Sequence, residues 1–173
     1  LVTIVDMKTQ QIVNTFTVPG SGDVTALKFS GGVLYSLRGG TVSGFAAGIT
    51  ITSGLAEDLD VSMSGGSAGL FSIRMTDGVV RRCIAQAPGA SAFVLEGGLA
   101  ENCRAVSSTT GIQIGAGSAR NCLVNTCTTG FSVYGSDCSL SECVSTGNSV
   151  GYTLANDALM VNCTADASAR RSR

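Results

Sequence analysis

Histidine is absent from this 173-residue chain. Mixed cysteine–histidine zinc sites are thereby excluded, and no metal or other cofactor is expected. Basic residues number only eleven against twelve acidic ones, the net charge is -1, and only Arg170, Arg171 and Arg173 cluster. That distribution leaves no electrostatic footprint for nucleic acid, and the basic tail is expected to be a solvated end. No run approaches the roughly eighteen consecutive apolar residues of a membrane-spanning helix, and no charged segment followed by an apolar one opens the chain as a signal peptide would. The chain opens at Leu1 rather than at methionine, as expected of a processed product or of a piece of something longer. Proline occurs twice, and the 23 glycines follow no every-third-residue period, which excludes a collagen-like triple helix.

What is present points to a folded, turn-rich chain. Leu, Ile, Val and Phe supply 44 residues, above the range of disordered sequences when charge is this scarce. The length suits one domain. Abundant glycine with little proline implies frequent turns between many short strands.

The dominant feature is a period. Cys83, Cys103, Cys122, Cys143 and Cys163 are separated by 20, 19, 21 and 20 residues. Three residues before each stands an apolar residue: Val80, Ala100, Ala119, Leu140 and Met160. A small residue followed by an apolar alternation recurs in step, as in Gly111-Ile112-Gln113-Ile114, Gly130-Phe131-Ser132-Val133 and Gly151-Tyr152-Thr153-Leu154. Alternation with period two describes strands, whereas helical repeats would need longer segments with a 3.6 period. About twenty residues per repeat then gives three short strands per coil joined by turns, each coil stacked on the last at about 4.8 Å.

The pattern also assigns inside and outside. Two residues after the ladder cysteines come the small residues Ala85, Ala105, Val124, Ser145 and Ala165; between them lie Ile84, Arg104, Leu123, Val144 and Thr164. An unpaired arginine is not tolerated in a narrow dry core, so the cysteines and small residues face inward and the Arg104 column faces out. By the same logic Phe93, Ile112, Phe131 and Tyr152 stack inside, with Gln113, Ser132 and Thr153 outside.

Segments such as Arg120-Asn121-Cys122-Leu123-Val124-Asn125, followed shortly by Gly130-Phe131, resemble the parallel β-helix repeat of pectate-lyase-like proteins and viral tailspikes. The resemblance covers roughly residues 39–166. It implies an all-β, right-handed, single-stranded parallel β-helix over residues 39–173, ending in the short basic tail. Residues 1–38 are expected to form a β-hairpin cap, because Val2–Val5 and Ile12–Val18 are two β-runs around a polar turn, and an open solenoid end needs covering.

The resemblance leaves two function classes, since this architecture serves enzymes and structural fibres alike. In the first, the chain is a non-catalytic rod of a virion fibre, tailspike or cell-surface protein, set outside the cell or on the virion surface. It would self-associate, with a trimer favoured, through the outward apolar column Ile84, Leu123 and Val144, and would bind polysaccharide, with Tyr134 as the stacking surface for a sugar ring. In the second, it is a polysaccharide lyase or glycoside hydrolase using Asp137 and Asp157, which lie in equivalent turns of neighbouring coils, as acid and base. The Gly-His-Gly segment and adjacent Asp-Asp pair of polygalacturonase-like members are both missing, which favours the first class. Aspartate is also common in turns for backbone reasons alone.

Three further groups matter. The period of the cysteines is that of the coil itself, so the ladder thiols are expected to be buried and inert rather than a disulfide framework. Cys127 and Cys138 fall outside the ladder, near turns, and are the candidate reactive pair. Glu57, Asp58 and Asp60 form the one acidic cluster, able in principle to bind calcium. Arg81 and Arg82 are expected to make outer-face ion pairs with Glu101 and Asp60.

Overall fold

A computed structural model of the chain describes residues 2–6, 11–16, 27–29, 36–45, 48–63, 69–155, 157–166 and 170–172, with side chains placed from residue 48 to residue 166 within those ranges. Arg173 and the side chains of Arg170 and Arg171 lie outside the described residues, as does the turn between the first two strands.

Every described element is a strand, and the long-range order is parallel. Five-residue strands, Phe71–Met75, Ser91–Leu95, Thr110–Ile114, Thr129–Val133 and Val150–Leu154, form the centre of an eight-stranded sheet reaching from Leu27–Phe29 to Arg170–Ser172. Two three-residue strands per coil, such as Leu99–Glu101 and Arg104–Val106, build a second, twelve-stranded sheet. The chain is therefore a parallel β-solenoid with coils of about twenty residues, as the cysteine period predicts. Parallel pairing reaches back to Leu27–Phe29 on Ile49–Ile51 and to Ser36–Phe45 on Leu55–Met63. Val2–Asp6 and Gln11–Phe16 pair antiparallel as a hairpin.

Each coil turns three corners. The first follows the five-residue strand, the second separates the two short strands, and the third leads back to the next long strand. The uneven coil lengths are absorbed at the corners. The third corner after Gln86 takes residues 87–90 where later coils use 107–109, 126–128 and 147–149, and the first corner after Val133 takes 134–138 where earlier coils use 96–98 and 115–117. Strand lengths stay fixed, so the ladders remain in register.

The second corner explains the residue that precedes each ladder cysteine, and Asp58 before Leu59 in the coil beneath the ladder. Asp58, Arg82, Asn102, Asn121, Glu142 and Asn162 all have left-handed backbones, with φ between 48° and 57°. Asparagine and aspartate tolerate that region best among residues with a Cβ, and the side chains point to solvent, where Asn121 Nδ2 donates to Asn102 Oδ1 at 2.5 Å. The cysteine that follows turns inward. From Cys83 to Cys143 its thiol lies against the carbonyl two residues back and one in the coil below as acceptors, as Cys122 Sγ does with Arg120 O at 3.3 Å and Ala100 O at 3.5 Å. A small side chain carrying a weak donor fits a narrow corner lined by carbonyls.

The core is as narrow as the alternation implies. Phe93, Ile112, Phe131 and Tyr152 are buried on successive rungs, with the rings of Phe131 and Tyr152 stacked at 5.1 Å and 10°. Ala85, Ala105, Val124 and Ser145 fill the opposite wall, while Arg104 is exposed. Each buried large side chain contributes about 1.5–3 kcal/mol. The Tyr152 hydroxyl is 2.8 Å from both Cys143 O and Thr164 O, which accept its hydrogen bond inside the core. The small residue ahead of each alternation is buried too: Ser72, Ala92, Gly111, Gly130 and Gly151. Its size is a packing requirement, since a Cβ on Gly111 would overlap the Val124 side chain and one on Gly130 the Ser145 hydroxyl.

Candidate functional site

The first corner gathers the residues singled out for sugar chemistry. Tyr134 leaves the end of strand Thr129–Val133 and is 54% exposed. Its ring lies across Gly115 of the preceding coil, where any Cβ would strike the phenol. Asp137, with a left-handed backbone at φ 56°, belongs to the same corner, and Asp157 to the corresponding corner one coil on. Both carboxylates are exposed, and neither has a hydrogen-bond or ion-pair partner among the described residues. The fold thus places Tyr134, Asp137 and Asp157 along one edge of the solenoid. The same edge carries Asp77, whose Oδ1 accepts from the Gly78 N–H, and Glu96, which pairs with Arg74.

The column proposed for self-association lies on a different face. Ile84, Arg104, Leu123, Val144 and Thr164 are consecutive partners in the parallel register. Ile84 is 40% exposed, Leu123 and Val144 are half-buried, and Arg104 and Thr164 are exposed. Leu123 and Val144 are neighbours, whereas Arg104 interrupts the apolar stripe between Ile84 and Leu123. At the last rung of short strands, Leu159 and Val161 are 61% and 43% exposed. Sequence reasoning overlooked these two because the wholly apolar Leu159-Met160-Val161 run masks which residues face out.

The acidic cluster is engaged by arginine in a different pairing from the one expected. Arg81 stands in register with Glu57, and Arg82 occupies the corner position above Asp58. Glu57, only 3% exposed, accepts from Arg81 Nε at 2.6 Å and Arg82 Nη2 at 2.8 Å. Asp58 accepts from Arg82 Nε at 2.7 Å and from Nη2 at 3.0 Å. The bond to Asp58, with help from Glu57, holds the Arg82 guanidinium well above its ordinary pKa. Three guanidinium nitrogens occupy the carboxylate positions that a calcium ion would need, and Asp60, two residues further along the same strand Leu55–Met63, faces out. The charges go on alternating up this column: Glu101 is in register with both Arg81 and Arg120, and Arg120 reaches Glu101 at 4.0 Å and Glu142 at 3.8 Å. Such a ladder favours one register, since a one-rung slip would oppose like charges.

All seven cysteines are free thiols. Cys127 and Cys138 do not form a pair: Cys127 points inward at a third corner and Cys138 inward at a first corner, and both are buried in the core. Burial pushes both thiols up in pKa. Hydrogen bonding with Cys122, together with burial, raises Cys103 and Cys143 as well. The same contacts pull Cys122 the other way, but a lone thiolate in a dry column is costly, and we read the ladder as neutral thiols.

The third corner was not singled out by the sequence. Ser107, Thr109, Thr126, Thr128 and Ser149 are exposed there on three consecutive coils, while Ser108, Cys127 and Asn148 between them point inward. The five exposed residues, with Ser108, Cys127, Gly89 and Gly147, line an open groove of about 520 Å³. The available signal was the triplets Ser107-Ser108-Thr109, Thr126-Cys127-Thr128 and Gly147-Asn148-Ser149, which recur with the coil.

Comparison with protein-family models, curated proteins and solved structures found no match for this chain.

Proposed function

We propose that this chain is a non-catalytic solenoid rod, of the pectate-lyase-like and viral-tailspike kind, that associates laterally with its own copies and binds polysaccharide on its flank. Its setting is the virion surface or the outside of a cell, and its assembly a trimer. The observation that carries the reading is the outward apolar column on rigid short strands, where Ile84, Leu123 and Val144 are held at fixed spacing by in-register ladders. A rod gains little by leaving adjacent apolar residues such as Leu123 and Val144 half-open to water unless something covers them. Side-by-side packing of identical copies does so without exposing ladder edges.

Mass photometry of the wild type and of Leu123→Asp tests this. The wild type is expected to be oligomeric and the variant monomeric, with thermal unfolding little changed because Leu123 lies outside the core. A wild type that is monomeric at every concentration overturns the assembly.

A second reading, a polysaccharide lyase or glycoside hydrolase, is favoured by the exposed Asp137 and Asp157 at the same corner of adjacent coils. Release of reducing ends or unsaturated products that is abolished by Asp137→Asn or Asp157→Asn would establish it in place of the first.

A further inference from the structure

We infer that the hydroxyl-lined groove at the third corner is a binding site for a neutral oligosaccharide lying along the solenoid axis. The inference rests on the polysaccharide-binding part of the proposed function and relocates the site from Tyr134.

The groove is a grid. Each coil presents two outward residues with one inward residue between them: Ser107 and Thr109, Thr126 and Thr128, Gly147 and Ser149. Successive coils stack through backbone bonds at this corner, Thr128 N to Ser108 O at 3.2 Å and Ser149 N to Cys127 O at 3.4 Å. Rungs are therefore about 4.8 Å apart, close to the advance of one pyranose along an extended chain. Hydroxyl groups of a linear glycan would meet hydroxyl groups of the protein rung after rung.

The grid is braced from within. Ser108 Oγ accepts from the Ala87 N–H at 2.8 Å and donates to Val106 O at 2.9 Å. Asn148 Oδ1 accepts from the Cys127 N–H at 2.7 Å, while its Nδ2 donates to Val124 O at 3.1 Å and to Ser145 Oγ at 2.8 Å. These buried side chains tie the corners to the coil below, so the backbone that carries the outer residues is fixed before a ligand arrives and less ordering entropy is lost on binding. On one column Ser107 and Thr126 bond to one another and to the backbone: the Ser107 N–H donates to Thr126 Oγ1 at 3.2 Å, and that hydroxyl donates to Asn125 O at 2.7 Å. On the other, the hydroxyls of Thr109, Thr128 and Ser149 have no partner among the described residues and face solvent.

The lining also selects the ligand's charge. None of the nine groove residues carries a charge at neutral pH, since burial keeps the Cys127 thiol protonated, and the nearest ionised group is the Asp166 carboxylate, which accepts from the Gly147 N–H. An acidic polysaccharide would find no cation in it, whereas the first corner, with Asp77, Asp137 and Asp157, would repel one. A neutral polyol matches both.

The test is titration of the full chain with cellohexaose and with oligogalacturonate of equal length, read by calorimetry, for the wild type, the double variant Thr109→Val/Thr128→Val and Tyr134→Ala. Valine keeps the branched shape and removes the hydroxyl, and all three proteins are checked for unchanged thermal unfolding. Wild type and Tyr134→Ala should bind the neutral hexamer alike and the double variant about tenfold or more weakly, the loss expected for two hydrogen bonds. Binding that survives the valines, or that disappears only with Tyr134→Ala, overturns the groove and leaves polysaccharide binding standing. Preference for the oligogalacturonate does the same. No binding of either sugar overturns both.

Discussion

The carbonyl oxygen of Gly98 occupies the space where a Cβ on Gly117 would lie, closer than the 3.0 Å that real Cβ atoms respect. The same relationship links Gly78 to Gly98 and Gly54 to Gly78, so the first corner is a glycine column in which each residue excludes a side chain on the one above. All four have φ between 81° and 120°. Two costs therefore fall on substitution at Gly117: the left-handed backbone and the collision with the coil below.

Gly69 separates those costs. Its φ is 91°, yet no described residue lies within 4 Å of a Cβ built on it. Gly69→Ala should cost only the backbone strain, about 1–2 kcal/mol, whereas Gly117→Ala should cost about 3 kcal/mol or more, because backbone carbonyls in a packed ladder cannot step aside. Chemical denaturation of the two variants reads the difference. Equal losses would mean that the column tolerates a methyl group and that φ alone requires the glycines.

The buried carboxylate of Glu57 offers a second test. It accepts hydrogen bonds from two guanidinium groups at 2.6 and 2.8 Å while almost wholly out of water. Glu57→Gln keeps the shape and loses the charge, and should destabilise by about 1–3 kcal/mol. Burial shields the pair from counter-ions, so most of that loss should persist at 1 M salt, where the Debye length falls to about 3 Å. The Arg74–Glu96 pair, more than a third exposed on both sides, should contribute under about 1 kcal/mol and fade with salt. A Glu57→Gln effect that vanishes in salt would place the carboxylate in a solvated corner instead.

The parts of the fold that depend on repetition were legible in the chain itself. One cysteine per coil fixed the period, and a single Arg104 in the alternate column was enough to orient five rungs, since a charge in that core has no partner. What repetition does not encode was missed. The pairing of Arg82 with Asp58 depends on a left-handed corner that brings residues 24 apart side by side, and Asp60, nearer in the apparent alternation, faces another way. The hydroxyl groove escaped notice because serine and threonine in turns are ordinary, and only the stacking of three corners turns them into a surface. Cys127 and Cys138 were set apart as reactive because they break the ladder, but a corner residue in a coil this narrow also points inward.

That inward direction gives the thiols a pH signature. Burial raises the pKa of Cys127 and Cys138 above the ordinary value of 9.0, so the fold holds these protons more tightly than the unfolded chain does. Below pH 9 both states are protonated and stability is insensitive to the thiols. Above it the unfolded chain ionises first, and stability falls as pH rises toward the folded pKa, by at most about 1.4 kcal/mol per pH unit for each thiol. Melting temperatures measured under reductant from pH 8 to pH 10.5 should decline, and Cys127→Ala should make the decline shallower while lowering stability at pH 8 through lost packing. Thiol labelling of the native protein at pH 8 supplies the complementary reading: Cys163, the one half-exposed cysteine, should react first, and the other six only as the chain unfolds. A flat alkaline limb together with rapid labelling of several thiols would mean that the corners open to solvent, and the neutral, dry cysteine ladder would have to be abandoned.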